Sequence, residues 1–154
     1  MNVLKRIGLI GLLLLAACAL PQQDPLSGVR EQVTTLPGAV VSADGLQISY
    51  PGAALFAEGS VLPLPGGMEV IEPLIDFLRN NAAVMVTGSV RSGGHEPEYD
   101  QLLAGKRLDL LMAIFRNRGL ADERLQIFAE AGVGAPLDLR LQPFNAATSA
   151  GEKR

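Results

Sequence analysis

The sequence predicts an α+β fold in which two helices cover one face of a mixed β-sheet. Three observations support this fold class: two amphipathic segments with helical periodicity, several short segments with strand character, and their order along the chain. That order is strand–helix–strand–helix–strand–strand, preceded by a β-hairpin strand. The chain has 154 residues, which is enough for one domain with appendages.

The first predicted elements are a hairpin and a helix. Residues 39–50 predict the hairpin, because Asp44-Gly45 is a favoured two-residue turn and the segment after it alternates apolar with polar residues. Residues 65–81 predict the helix, because apolar side chains recur at the spacing i, i+3, i+4, i+7: Ile71, Leu74, Ile75 and Leu78. Pro73 lies inside this run, so we expect the helix to kink there or to begin late.

The central segment, residues 84–119, predicts a buried strand, a glycine-rich polar loop and a long amphipathic helix. The apolar run 84–86 suits a strand covered on both faces. Pro97 suits the first turn of the helix, and the apolar residues that follow recur at helical spacing: Leu103, Leu110, Leu111, Ile114 and Phe115. Residues 125–129 and 137–142 predict the last two strands.

Arg107 interrupts the apolar stripe of the long helix, since it lies four residues after Leu103 and four before Leu111. A guanidinium keeps its charge when it is buried, so it needs an anionic partner or must extend to the rim of the core. Two alternatives remain open from the sequence. Arg107 binds an anionic group of a ligand, or it forms a salt bridge with one of three nearby acids: Asp100, Glu98 or Asp109.

The N-terminus has the pattern of a bacterial lipoprotein leader. Lys5 and Arg6 precede an apolar run, residues 7–17, that is shorter than the roughly 20 residues of a membrane span. The following tetrapeptide, Leu15-Ala16-Ala17-Cys18, resembles the lipobox. This resemblance implies cleavage before Cys18 and acylation of its sulfur, palmitate being one such acyl group. The alternative is an ordinary signal peptide with an incidental cysteine.

The lipobox resemblance also implies a location and a domain organisation. Ala19 follows the cysteine where many lipoproteins retained in the inner membrane have aspartate, so we expect an outer-membrane lipoprotein that faces the periplasm. Residues 1–17 are then the signal peptide, and residues 18–38, which contain three prolines and few apolar side chains, are the lipidated cysteine and a flexible tether. The folded domain spans 39–142, and 143–154 is a disordered tail.

Charge and composition exclude several function classes. Loss of Lys5 and Arg6 with the leader leaves 11 of the 13 cations against 16 acids, a net charge of −5 that argues against nucleic acid and against electrostatic adhesion to anionic lipid. No nucleophile–base pair is visible, so we predict no enzyme activity and no cofactor. His95 is the only histidine and lies beside Glu96 and Glu98, too few ligands to predict a metal site.

Six short motifs resemble the OmpA-like C-terminal domain, which is shared by the peptidoglycan-associated lipoprotein and MotB. They cover about residues 40–142 and occur in the family's order: Leu55–Ser60 (LFAEGS), Val84–Gly88 (VMVTG), Glu98–Asp100 (EYD), Leu103–Arg107 (LAGKR), Arg118–Arg124 (RGLADER) and Gly134–Pro136 (GAP). The resemblance implies an OmpA-like βαβαββ sandwich. It also implies noncovalent binding of peptidoglycan stem peptides.

The family pattern assigns candidate ligand-binding residues, in which an arginine holds the ligand's carboxylate and an aspartate its ammonium. The arginine position is Arg107, but the aspartate position is Arg91, which would repel an ammonium group. Tyr99, Asp100 and Ser89 complete the predicted site. Arg91 is either a solvated loop charge or forms an anion site with Arg107, and Asp100 is a candidate for the missing acid.

Two functions follow from these residues. The first is an outer-membrane lipoprotein whose periplasmic domain binds the cell wall. The second is a structural lipoprotein with a degenerate groove that serves a protein partner in an envelope complex.

Overall fold

The computed structural model describes residues 24–144. Within this range the helices are α1 (Ser27–Val33), α2 (Gly52–Leu55), α3 (Gly67–Asn80) and α4 (Pro97–Asn117), with a short 3₁₀ helix at Asp122–Arg124. The strands are β1 (Val40–Val41), β2 (Gln47–Tyr50), β3 (Val84–Ser92), β4 (Leu125–Ala131) and β5 (Leu137–Pro143). None of the helices in residues 24–144 combines the length and the apolar character needed to cross a bilayer. The predicted signal peptide, Cys18 and residues 145–154 of the predicted tail lie outside the described residues.

The five strands form one mixed sheet in the order β1-β2-β5-β3-β4. Strands β3 and β4 are parallel, while the other three neighbouring pairs are antiparallel. It follows that β2, β3 and β4 all run in the same direction. Their C-terminal ends therefore meet at one end of the sheet, which we call the C-terminal pole, and their N-terminal ends meet at the N-terminal pole.

One face of the sheet is buried and the other is polar. The register aligns buried apolar residues across the strands, for example Val86 beside Leu125 and Leu141, and helices α3 and α4 contribute side chains to the same core. Each large apolar side chain that is fully buried contributes about 1.5–3 kcal/mol. Thr87 and its neighbours in the register, Gln126 and Arg140, belong to the other face. The predicted α+β fold class, with a mixed sheet and two helices on one face, is confirmed.

Helix α3 contains the predicted apolar stripe and continues through its proline. It begins at Gly67 after Gly66, whose φ of +88° is a conformation that favours glycine. The helix neither starts at Pro73 nor ends there, and Ile71, Leu74, Ile75, Phe77 and Leu78 are buried in the core.

The predicted glycine-rich loop is wrong in its first half, because β3 extends to Ser92. Gly88 lies inside the strand, where a Cβ atom would come within 2.0 Å of the carbonyl oxygen of Asp138 on β5. Glycine therefore permits a close approach of two strands here and does not end one. The prediction that this strand is covered on both faces is also wrong, since Met85 and Thr87 belong to the half-buried polar side of the sheet.

The predicted flexible tether is wrong from Asp24 onward. Helix α1 occupies part of it, and the core includes four of its apolar side chains: Leu26, Val29, Val33 and Leu36. Arg30 forms a salt bridge with Asp24 at 2.6 Å, and the amide of Asn81 donates a hydrogen bond to Gln32 at 3.1 Å. The four apolar residues follow helical spacing, a signal that the prolines around them obscured.

The connection between β1 and β2 is longer than the predicted two-residue turn. Residues 42–46 join the strands, and Gly45 has a φ of +68°. The carboxylate of Asp44 accepts hydrogen bonds from the backbone N–H of Leu46 at 3.0 Å and from the hydroxyl of Ser42. The turn is therefore an aspartate-stabilised loop.

Strand β4 forms an edge of the sheet, and a side chain from α4 occupies part of that edge. The amide of Gln101 donates to the carbonyl of Ala129 at 3.2 Å and accepts from the N–H of Ala131 at 3.1 Å. Gln101 thereby makes the two hydrogen bonds that a peptide group of a further strand would make.

We predict opposite effects of alanine at two glycines. Gly88→Ala should lower the free energy of unfolding by more than about 2 kcal/mol, because its methyl group overlaps the β5 backbone. Gly105→Ala should raise it by about 0.5–1 kcal/mol, because Gly105 lies within α4 with open space around it. Urea denaturation of both variants tests this, and a Gly88→Ala protein as stable as the wild type would contradict the strand assignment.

Candidate functional site

A cleft of about 500 Å³ opens at the C-terminal pole of the sheet. Its walls are the segment that follows β2, the end of β3 with the loop after it, the β4–β5 connection, and one residue of α4. The lining residues that matter for its chemistry are Phe56, Glu58, Arg91, His95, Arg107 and Val133.

Arg107 is the α4 residue that lines the cleft, and its side chain is almost fully buried, with 5% of the residue's surface exposed. Its Nε donates to the carbonyl of Ser60 at 2.8 Å, Nη2 to that of Ala57 at 3.1 Å, and Nη1 to that of Arg91 at 3.3 Å. The guanidinium also lies over the ring of Phe56, 4.7 Å from its centroid. Arg107 therefore joins the segment after β2 and the end of β3 to helix α4.

The guanidinium of Arg107 has no carboxylate partner within the described residues. The predicted structural alternative, a salt bridge to Asp100, Glu98 or Asp109, is therefore wrong. Burial lowers the pKa of Arg107, opposed by the nearby Tyr99 and Asp100, yet an arginine stays protonated in a protein. Three of its five N–H groups bind carbonyl oxygens, and two remain for another acceptor.

Arg124 provides a comparison, because it binds backbone in the same way at the other pole. Its Nε donates to Val84 at 2.8 Å, and its Nη2 donates to the carbonyls of Leu78 at 2.6 Å and Asn81 at 2.7 Å, where helix α3 ends. Burial lowers its pKa as well. A guanidinium that binds three carbonyls therefore serves a structural role at Arg124. Arg107 differs from Arg124 because it lines the cleft.

Arg91 lies in β3 and its charge is balanced by two acids. Its Nε and Nη2 donate to Glu130 at 2.9 and 2.8 Å, and its Nη1 lies 3.9 Å from a carboxylate oxygen of Asp138. The predicted alternative of a solvated loop charge is wrong, since Arg91 is a paired strand residue. Arg91 and Arg107 line the same cleft. Of these two arginines, Arg107 alone has no carboxylate partner within residues 24–144.

Asp100 is buried behind the cleft, with 3% of its surface exposed. It accepts hydrogen bonds from the hydroxyl of Ser92 at 3.1 Å and from the backbone N–H of His95 at 3.0 Å, and its other contact is the His95 ring at 3.1 Å. Burial raises the pKa of Asp100, but these hydrogen bonds together outweigh burial and leave the pKa below its usual range. Asp100 therefore fixes the loop before α4, and it does not contact Arg107.

Tyr99 and Ser89 lie outside the cleft. The hydroxyl of Tyr99 donates to the carbonyl of Gly59 at 3.3 Å, and its ring makes an edge contact with His95 at 5.2 Å, so it supports the cleft wall from outside. Ser89 lies on the polar face of the sheet, between Phe128 and Asp138 in the register. Ser89 is not among the residues that line the cleft with Arg107, so the structure does not bring these two predicted site residues together.

Three residues that were not predicted for the site also line the cleft: Phe56, Glu58 and Val133. The first two belong to the LFAEGS motif, whose apolar start and glycine could have indicated a loop that turns over a site. No comparable signal marks Val133, which is 86% exposed. No group of three or more His, Cys, Asp or Glu side chains that could hold a metal ion occurs in the part of the chain that the structure describes.

Solved structures of other proteins are similar to this one. A MotB-like protein from Desulfovibrio vulgaris superposes with a TM-score of 0.60 at 16% sequence identity, over 78% of this chain and 92% of that one. The peptidoglycan-associated lipoprotein from Burkholderia pseudomallei gives 0.49 at 12% identity, over 77% and 100%, and the OmpA-like domain of FopA1 from Francisella tularensis gives 0.42 at 16%, over 70% and 82%. No protein-family model and no curated protein matches the sequence. The likeness to the MotB-like protein confirms the predicted OmpA-like fold.

We predict that ionisation of Asp100 makes the stability of the fold depend on pH. A carboxylate whose pKa is lower in the folded state stabilises the fold above its unfolded pKa, about 4, and this stabilisation is lost as the pH falls through the lowered value. Asp100→Asn should be less stable at neutral pH and lose less stability on acidification below about pH 4. Thermal denaturation across this range measures both. Asp109→Asn, an exposed change on the same helix, is the control and should keep the wild-type slope.

Proposed function

We propose that this chain is an outer-membrane lipoprotein whose periplasmic OmpA-like domain binds peptidoglycan noncovalently, with a carboxylate of the stem peptide at Arg107. The observation that carries the proposal is a buried guanidinium, free of any carboxylate partner in residues 24–144, in the wall of a cleft. A carboxylate is the anion that best matches two free N–H groups of an arginine.

The cleft suits a peptide in size and in charge. Its volume of about 500 Å³ lies within the usual range of ligand pockets. Glu58 is the one carboxylate among its lining residues, and it is exposed, so it is available to an ammonium group of the same ligand. The pairing of Arg91 with Glu130 reduces the repulsion that an unpaired arginine would exert on that ammonium.

A second function has its own support. Arg91 stands where the family pattern has aspartate, which weakens the case for a standard stem-peptide site. Beside the cleft, Leu62 is 68%, Leu102 57% and Tyr99 44% exposed. Exposed apolar side chains of this kind suit a protein partner in an envelope complex. The proposed alternative is therefore an assembly lipoprotein that no longer binds the wall.

We predict that the domain pellets with purified sacculi and that Arg107→Gln weakens this association by at least about tenfold. The change removes the charge, while Arg124→Gln removes an arginine with the same three-carbonyl arrangement far from the cleft. Each change should lower the free energy of unfolding by about 1–3 kcal/mol. Only the first should reduce co-sedimentation, so the pair separates ligand binding from folding.

One result would favour the alternative function: a wild-type domain that stays in the supernatant while Arg91→Asp pellets, which would mean that wall binding has been lost through this substitution. Equal co-sedimentation of the wild type and Arg107→Gln would contradict the proposed role of Arg107, because the wall would then be bound without it and Arg107 would be a purely structural residue.

We predict that the anchor depends on Cys18. In a Gram-negative host, metabolic labelling with a clickable palmitate analogue should label the wild-type chain and not Cys18→Ala, because acylation requires the thiol. Fractionation should find the labelled protein with the outer membrane. Release of an unlabelled wild-type chain into the periplasm would contradict the proposed anchor. It would not bear on the proposed binding of a carboxylate at Arg107.

A further inference from the structure

We infer that the cleft opens at the pole of the domain opposite the membrane, so that the anchor presents it away from the lipid. This inference rests on the proposed acylation of Cys18. It adds to the proposed function a defined orientation and identifies the N-terminal pole as the surface that faces the bilayer.

The first step is the position of the cleft. Its lining residues follow the C-terminal ends of the three strands that run in the same direction: Gly52 follows β2, Gly93 follows β3, and Val133 follows β4. The cleft therefore lies wholly at the C-terminal pole. Strand β3 has nine residues, which corresponds to roughly 30 Å between the two poles.

The second step is the position at which the described chain begins. The side chain of Arg30 in α1 contacts Gly45 in the loop that precedes β2, and Gln32 accepts a hydrogen bond from Asn81, which precedes β3. Both contacts lie at the N-terminal pole. The salt bridge from Arg30 to Asp24 holds the start of the described chain at that same pole.

The third step is the distance from the lipid. Asp24 lies six positions after Cys18, and a chain of six residues spans at most about 22 Å whatever its conformation. The link is therefore shorter than the distance between the poles. A cleft turned toward the lipid would require the chain to pass along most of the domain, and six residues do not reach that far.

The charges of the N-terminal pole give the lipid no competing attraction. Three exposed ion pairs occur in the segments there: Asp24 with Arg30, Asp76 with Arg79, and Asp44 with Arg140. Each pair is neutral, and Arg124, a further cation at this pole, donates to three backbone carbonyls, so these groups form no cluster of exposed cations that would draw the domain to anionic lipid. The attachment point therefore sets the orientation.

Energy transfer on vesicles tests the orientation. The chain has one cysteine and no tryptophan, so residues 18–154 couple through Cys18 alone to a maleimide lipid, and an introduced tryptophan is the only indole donor. Val133→Trp places the donor at the cleft, and Arg79→Trp places it at the N-terminal pole. Both are exposed positions in the wild type. Phosphatidylcholine vesicles containing a dansyl lipid supply the acceptor.

The expected result is energy transfer at least twofold more efficient from Arg79→Trp than from Val133→Trp. Equal transfer, or more efficient transfer from Val133→Trp, would overturn the inference. Should either variant misfold by circular dichroism, Glu31→Trp and Glu58→Trp provide the same comparison at exposed positions.

An insertion tests the role of the short link. Twelve Gly/Ser residues placed after Cys18 should bring the two transfer efficiencies closer together. An unchanged difference would overturn the claim that the short link fixes the orientation of the domain. The vesicles contain no cell wall and the sacculus assay needs no lipid, so failure of the orientation and failure of wall binding are separate results.

Discussion

The cleft depends on one costly interaction, the burial of the Arg107 guanidinium. Removing a charged group from water costs several kcal/mol, and hydrogen bonds to a charged donor recover about 1.5–3 kcal/mol each. Three carbonyls from two separate segments supply those bonds, and the Phe56 ring covers the guanidinium. Carbonyl dipoles satisfy the geometry of the cation without cancelling its charge, so the wall of the cleft retains a positive potential that a bound carboxylate would neutralise.

The same arrangement at Arg124 shows how the fold uses arginine at both ends. There the guanidinium donates hydrogen bonds to carbonyls at the end of α3, which no N–H group of the helix itself can reach. At Arg107 two of the three carbonyls belong to the irregular segment between β2 and α3, and the third is that of Arg91 in β3. In both places arginine supports the backbone, and at one of them the structure leaves a cavity beside it.

Periodicity in the sequence was enough to predict the α+β class with its mixed sheet, both long helices and the position of Arg107 within an apolar stripe. It was not enough to predict the partners of Arg107, because backbone carbonyls have no sequence signature. Gly88 was interpreted as the end of a strand, because a glycine that permits close approach of two strands looks the same in sequence as a glycine in a turn. Ser89 was assigned to the site from the family pattern alone, whereas in the structure it lies between Phe128 and Asp138 on the polar face of the sheet and does not line the cleft. The three prolines around α1 hid a short helix whose stability comes from packing, not from propensity.

Gln101 has a consequence for how densely such a domain can be arranged. Copies of the proposed lipoprotein would share a two-dimensional surface, where they would meet far more often than in free solution. The unpaired margin of a sheet is the usual template on which like molecules join. With the amide of Gln101 bound to Ala129 and Ala131, the carbonyl of Ala129 and the N–H of Ala131 are not available to a strand of another molecule. This part of the sheet edge therefore does not favour association between neighbouring copies.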